Sequence, residues 1–454
     1  MDRSFLHVQN IFDALNPSGS GVNGSLKLKC MQLQNRVISL ANSNDIVLID
    51  QNCEEDYVDY ILNITKASNV LTLRYQTSRD LRMNLNSNDM FNAITKNYLW
   101  EKVLQRNPSL SPYIFSPTVC QAARNANMKF LDDKKFAANE DLVLIMNDKA
   151  LFHEECSRLN LPVPRYWTVD DSQLPSLIID LLHTGYSSLY IRQTRSGGAL
   201  GNLTVEKCRS LYRIPEMSDG LLTEKEFKQL LYQYSKTNFW NEFIITELLD
   251  LHASPGTLFY SDTHSTTIIS HTSQILNCKR SYLGFIYPIT DWLTKKHFDE
   301  IEKHTLKLVE PWRKLGFRGY GNIDWMVDKN SNLYLAERNA RQTAVIPPIK
   351  IENSLRMADC NKMPIASPQL YILTRDTLNL PYPTTFKELY LKLKRNGLVG
   401  QSEGVIITIP PLPSYGINTV GILVYAFDFK TVYEILLRVL KLFNITDEEW
   451  LFRL

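Results

Sequence analysis

The sequence predicts a mixed α/β and α+β protein in three parts: an α/β domain over residues 1–145, a central domain over 146–352, and a small α+β domain over 353–454. Three observations carry that expectation. A chain of 454 residues is too long for one compact core. Short apolar runs alternate with amphipathic helical stretches in the first part. In the last part prolines punctuate strand-like runs, and an amphipathic helix follows them.

Taken in order, RVISLANSNDIVLID reads as strand, CEEDYVDYILNIT as an amphipathic helix and NVLTLRYQT as a further strand. The stretch SGSGVNGS from Ser18 reads as a flexible turn, or equally as a ligand loop. The central part opens with a helix that Asn147 or Asp148 can cap, with Leu151, Cys156 and Leu159 as its apolar face and LPVP as its stop. A strand carrying Arg192, the glycine-rich turn SGGALGN and a strand around Leu203 follow. The helix TEKEFKQLLYQYSK then precedes a buried-looking strand, EFIITELLD. Two more strands and the helix KKHFDEIEKHTLKLVEPWRKLG lead to the hairpin NIDWMVD-KNSN-LYLAERN. In the C-terminal part VIITI and TVGILVYAF read as strands and FKTVYEILLRVLKLF as a helix.

Composition narrows the function classes. Hydrophobic residues make up 44% of the chain, charged residues 22%, and the formal charge is only +2, so no charge field points to nucleic acid or to a membrane surface. The seven cysteines are scattered without a CxxC pair, as expected of reduced thiols in a cytoplasmic protein. TVGILVYAF, the longest apolar run, is under half a membrane span. Small-molecule or protein substrates are therefore expected.

The hairpin holds the chemistry. With its turn centred between Asn330 and Ser331, Asp324 lies directly opposite Glu337, roughly 4.5–5.5 Å away at Cβ, and like charges so placed need a cation between them. Asn339 returns to the same face by the period of a strand, and Arg341 follows if the chain stays extended. Two carboxylates and an amide oxygen suit a hard cation such as Mg²⁺; solvated polar residues on an exposed hairpin would read the same way in isolation. An EF-hand reading of DKNSN fails, because Leu333 stands where its glycine is needed. Upstream, Lys149 at a helix start, Arg192 on a strand and the loop containing Ser196, Gly197, Gly198 and Gly201 can hold polyphosphate, since glycines let backbone N–H groups approach an anion. Glu247, Leu248, Leu249 and Asp250, at the exit of an apolar strand, can meet a base and a ribose.

In order and spacing these segments resemble the ATP-grasp superfamily, from NDKALFHEECSRLNLPVP through LYIRQTRSGGALGN and FIITELLD to GNIDWMVDKNSNLYLAERNAR. The aspartate followed thirteen residues on by the glutamate of E-x-N resembles the D-alanine:D-alanine ligases, and Arg341 matches the N-x-R variant of biotin-carboxylase-like members. The resemblance implies an ATP-grasp fold whose lid spans about residues 150–245 and whose N-terminal part is a pre-ATP-grasp domain. It implies ATP as nucleotide, two Mg²⁺ ions on Asp324, Glu337 and Asn339, phosphate contacts from Lys149 and Arg192, and Arg341 facing the reacting carboxylate. Arg192 departs from the lysine usual at its place. DLHASPGTLFYSD, SHTSQILNCKRSYLGFIYP and the C-terminal segments also look like peptide ligases of the pheganomycin-forming kind, a resemblance that implies a ligand-facing role for His271 and Gln274, although a core histidine is the more ordinary reading of His271. The implied reaction is amide or peptide bond formation between a small carboxylate and an amine or short peptide through an acyl phosphate. Two alternatives stay open: an ATP-grasp carboxylase or carboxylate kinase, and a catalytically silent nucleotide-binding regulator. A homodimer is compatible with either.

Overall fold

The computed structural model describes residues 4–15, 24–75, 87–128, 140–197, 201–237, 241–277, 280–289, 293–360 and 369–445. Gly198 and the Ser18–Asn23 portion of the SGSGVNGS turn lie outside them.

The first sheet is parallel and four-stranded: β1 (Phe5–Val8), β2 (Ile46–Asp50), β3 (Leu71–Tyr75) and β4 (Ser109–Pro112), in the order β3-β2-β1-β4. Every residue of β2 is buried, as expected of a parallel strand covered on both faces. One expectation is corrected here: the RVISL half of the first strand-like run is not extended but lies in a 3₁₀ helix, Asn35–Leu40, with all six side chains buried. Its β-branched residues fill a core that can be reached from a helix as well as from a strand, so composition alone misread it.

The second sheet, antiparallel and five-stranded, runs β5 (Tyr166–Asp170), β9 (Glu242–Glu247), β6 (Ser188–Gln193), β7 (Leu203–Cys208), β8 (Leu211–Arg213). Its own core holds Ile191, Phe243 and Ile245 and a stacked Tyr212–Phe227 pair, with ring centroids 4.6 Å apart. This sheet is thus a separately packed plate, and it carries Arg192 on its central strand β6.

The third sheet has nine strands: β10 (Leu251–Ala253), β11 (Pro255–Ser261), β12 (Thr266–Leu276), β13 (Tyr282–Tyr287), β14 (Gly319–Asp328), β15 (Leu333–Asn339), β16 (Tyr371–Asn379), β17 (Gly404–Ile409) and β18 (Thr419–Ala426). The order is β10-β14-β11-β12-β13-β16-β18-β17, with β15 paired to β14. β17 and β18 form as the sequence predicts, β16 was not foreseen, and the three extend the central sheet from β13 onward instead of building a sheet of their own. The helix Phe429–Leu442, capped by Asp428, lays Val432, Ile435, Leu436 and Val439 on that extension. The same core takes in Val37, Ile49 and Tyr57 of the first part, which ties the N- and C-terminal parts together.

Among the described residues no helix is long and apolar enough to cross a membrane.

Candidate active site

Lys149 is positioned by its helix, Lys149–Arg158. Asp148 is the cap, accepting from the backbone N–H groups of Ala150 (3.0 Å) and Leu151 (3.2 Å). Asn147 does other work: its Oδ1 accepts from the N–H of Ala340 (3.0 Å) and from Nη1 of Arg341 (2.8 Å). The apolar face of this helix is Phe152 with Cys156, and Leu151, expected on that face, is 40% exposed.

Across β14 and β15 Asp324 does face Glu337, although the turn is not where the sequence suggested. Trp325 pairs with Leu335 and Val327 with Leu333, which centres the turn on Asn330. An extra residue, Ala336, then bulges out of β15 and returns Asp324 to Glu337 and Asn322 to Asn339. The bulge has a use, since the Ala336 carbonyl accepts from Nη1 of Arg192 at 3.3 Å. The second sheet is thereby pinned to the hairpin beside the carboxylates.

Around the two acids the partners divide by charge. Oε2 of Glu337 lies 3.6 Å from Arg192 Nη1 and 3.9 Å from Lys149 Nζ. Asp324 is held by amides: Gln274 and Asn322 each donate to its Oδ1 at 2.6 Å, and Asn339 donates to its Oδ2 at 2.8 Å. Burial, and then the neighbouring Glu337 charge, push the Asp324 carboxyl well above the usual carboxylate range. Burial acts the same way on Glu337, but Lys149, Arg192 and Arg341 outweigh it and hold that group below its usual value. The Lys149 ammonium is pulled down to about 8 by burial, despite Glu337. It also donates to the Ser196 carbonyl, at the start of the glycine-rich loop.

This donor set fits a divalent cation. Two carboxylates face one another, and the Asn339 amide, which spans both acids, brings an oxygen to them when turned over. Among the described residues no cluster of three His, Cys, Asp or Glu side chains offers a rival centre.

The remaining predicted residues are placed as follows. Gly197 and Gly201 flank the loop, Gly201 with φ +68°, and its carbonyl accepts from the Tyr234 hydroxyl. Glu247 to Asp250 form the link where β9 of the second sheet passes into β10 of the third. There the Glu247 N–H donates to the Arg165 carbonyl (3.0 Å), the Leu249 carbonyl accepts from Arg280 (2.8 Å), and Asp250 pairs with Lys329. Gln274 is on the site, bonded to Asp324. His271 is not: it lies next to Thr257 Oγ1 (3.2 Å) and Glu302 (3.5 Å), on the other face of β12. Sequence reasoning missed Asn322, although the same two-residue period that placed Asn339 places it, and it missed Asn147 as the partner of Arg341.

No family model matches the chain, and no curated protein matches its sequence. Solved structures do match in fold. The biotin carboxylase–βγ-ATP complex from Campylobacter jejuni has a TM-score of 0.58 at 12% identity, covering 97% of this chain and 91% of that one. The N5-carboxyaminoimidazole synthetase from Staphylococcus aureus, complexed with ADP, gives 0.54 at 11% identity and 98% of both chains. The biotin carboxylase domain of the Hydrogenobacter thermophilus 2-oxoglutarate carboxylase, a dimer with MgADP, ADP and bicarbonate, gives 0.55 at 12% identity, covering 91% and 87%. The chain has the ATP-grasp fold. The likeness runs through the N-terminal sheet and the C-terminal strands as well as the region between them.

Proposed function

We propose that the protein is an ATP-dependent, ADP-forming ligase that joins a carboxylate to an amine through an acyl phosphate. The observation that carries this reading is the half-buried, face-to-face pair Asp324 and Glu337 beside two cations, Lys149 and Arg192, that reach Glu337 from a helix and from a second sheet. Lys149 and Arg192 would hold the phosphates of ATP, with the Glu247–Leu249 link toward the base and Asp250 toward the ribose. Mg²⁺ held by Asp324, Glu337 and Asn339 would screen the phosphate charge and polarise the oxygens that leave.

The chain's own residues do the rest. Lys149 and Arg192 neutralise the charge that develops on the transferred phosphoryl group, and Ser196, Gly197 and Gly201 would offer it backbone N–H groups. Arg341, braced by Asn147, holds the acceptor carboxylate beside the phosphate end. An amine then attacks the acyl phosphate and displaces phosphate, leaving an amide, and no protein nucleophile takes part.

Hydroxylamine trapping tests the reading. ATP, Mg²⁺ and a panel of carboxylates should give ADP and a hydroxamate from at least one acid; nucleotide binding with no ADP release across the panel would replace the ligase by a regulatory module.

A further inference from the structure

Beyond the acids the same face of the central sheet runs into a cavity of about 400 Å³. Register fixes the relation: Asp324, Asn322 and Tyr320 alternate down one face of β14, opposite Gly256, Leu258 and Tyr260 of β11. Leu258, Tyr260 and Tyr320 line the cavity, so it begins one pleat from the Asp324 carboxylate. Ala340, Arg341 and Gln342 form its rim, the helix Ile346–Cys360 closes one side with Ile346 and Ile349, and Phe5, Tyr113 and Phe115 close another.

Three features of this wall specify an occupant. It is mainly aromatic and aliphatic. It holds three cationic side chains, Arg318, Arg341 and Lys350, and no Asp or Glu. Of the three, Lys350 is engaged by the carbonyls of Leu40 and Ala41 and by Asn42, and Arg318 spends Nη1 on the carbonyls of Arg313 (2.7 Å) and Phe317 (2.6 Å), its buried Nε being without a partner among the described residues. Among the described residues Arg341 makes one side-chain bond, to Asn147, and its buried Nε, like that of Arg318, has no partner. An anion entering here meets Arg341, whose charge also reaches Asp324 and Glu337. A buried ammonium would find no acid to pair with, and an unpaired buried charge is costly. The volume falls in the range of pockets for organic ligands of drug size, about 300 Å³ and upward, and bicarbonate or acetate would leave most of it empty.

We propose that this cavity takes a monocarboxylate with an aromatic or branched apolar body and no charged amine, such as an N-acylated apolar amino acid or an aryl-alkanoic acid, with its carboxylate on Arg341. The proposal rests on the ligase reading and supplies its substrate class.

The test is hydroxamate formation with ATP and Mg²⁺ on the full chain. N-acetylphenylalanine and 3-phenylpropionate should exceed alanine, glutamate, acetate, bicarbonate and free phenylalanine by at least tenfold in kcat/KM. Ile349→Trp, which fills the cavity, should raise KM for the two apolar acids at least tenfold and leave the ADP dissociation constant unchanged. If that variant fails to fold, Tyr320→Ala, at a partly exposed wall position, should raise KM for 3-phenylpropionate several-fold. Turnover on small or charged acids in preference to the apolar ones overturns the cavity's assignment and leaves the ligase standing. Absence of turnover on every apolar acid also overturns it, and failure to bind ADP would bring the ligase reading down with it.

Discussion

Lys149→Met separates a lysine kept for a ligand from one kept for the fold. The ammonium is 6% exposed, and burial lowers it from 10.5 to about 8. A shift of that size means that holding the charge in the folded, ligand-free protein costs about 3 kcal/mol at neutral pH. Glu337 has Arg192 as a second cation at 3.6 Å, so removing the lysine does not strand it. The variant loses the bond to the Ser196 carbonyl, worth about 1 kcal/mol net. Unfolding in urea at pH 7 should therefore show Lys149→Met more stable than the parent by about 2 kcal/mol. The sign with pH follows from a lysine depressed on folding. Its penalty is complete below pH 8 and fades between pH 8 and 10.5, where the unfolded chain still holds the proton. The gap between variant and parent should close over that window. Calorimetric titration should meanwhile show ADP binding weakened about tenfold to a hundredfold, the loss of one charge-assisted contact of about 1.5–3 kcal/mol. A variant destabilised at pH 7 with unchanged ADP affinity would make Lys149 a structural ion-pair partner and refute the phosphate assignment.

Glu337→Gln should cut turnover at least a thousandfold, about 4 kcal/mol of transition-state stabilisation, with an unchanged circular dichroism spectrum; activity near that of the parent would sink the metal assignment. Arg192→Lys should weaken ADP binding about tenfold, because an ammonium cannot serve both the Ala336 carbonyl and Glu337 as the guanidinium does. Equal affinity in the titration would mean that the fork geometry is unused. Arg338→Ala should cost about 3–5 kcal/mol in urea unfolding, since it leaves Glu155 buried without its cation; a loss below 1 kcal/mol would show that the Trp312 indole alone satisfies that acid.

Much of the site could be read from residue spacing because a strand has a period of two. Within β15 that period alone puts Glu337 and Asn339 on one face, the bulge brings Asp324 opposite Glu337, and a helix cap placed Lys149. The bulge at Ala336 was hidden, for nothing in LYLAERN distinguishes the residue that leaves the ladder. It made a misplaced turn and a correct pairing coincide. RVISL was misread because burial on all sides erases the periodicity that separates helix from strand. The continuity of β16–β18 with β13 was hidden for another reason: hydrogen bonds between strands far apart in sequence leave no local signal in either of them. Asn147 and Asn322 were missed for want of charge, although amides orient charged groups here: one braces Arg341 and the other donates to Asp324.

What holds the cations and the acids in register is the residue between them. Alternation that sends Glu337 and Asn339 to the site sends Arg338 to the opposite face, where its side chain is fully buried. There Nη1 meets Glu155 at 2.8 Å, Nε donates to the Met146 carbonyl at 3.0 Å, and the guanidinium stands 4.8 Å over the Trp312 ring. Glu155 lies on the helix that begins at Lys149, and Met146 precedes its cap. Asn147 binds the backbone just past Asn339, and the Leu335 N–H donates to the Pro162 carbonyl beyond the helix. The helix is thus tied to β15 at its start, its middle and its exit, so its first residue cannot drift from Glu337 without breaking a buried ion pair. That fixed spacing, and not the lone strength of any contact at the surface, keeps Lys149 within 3.9 Å of the acid before a nucleotide arrives.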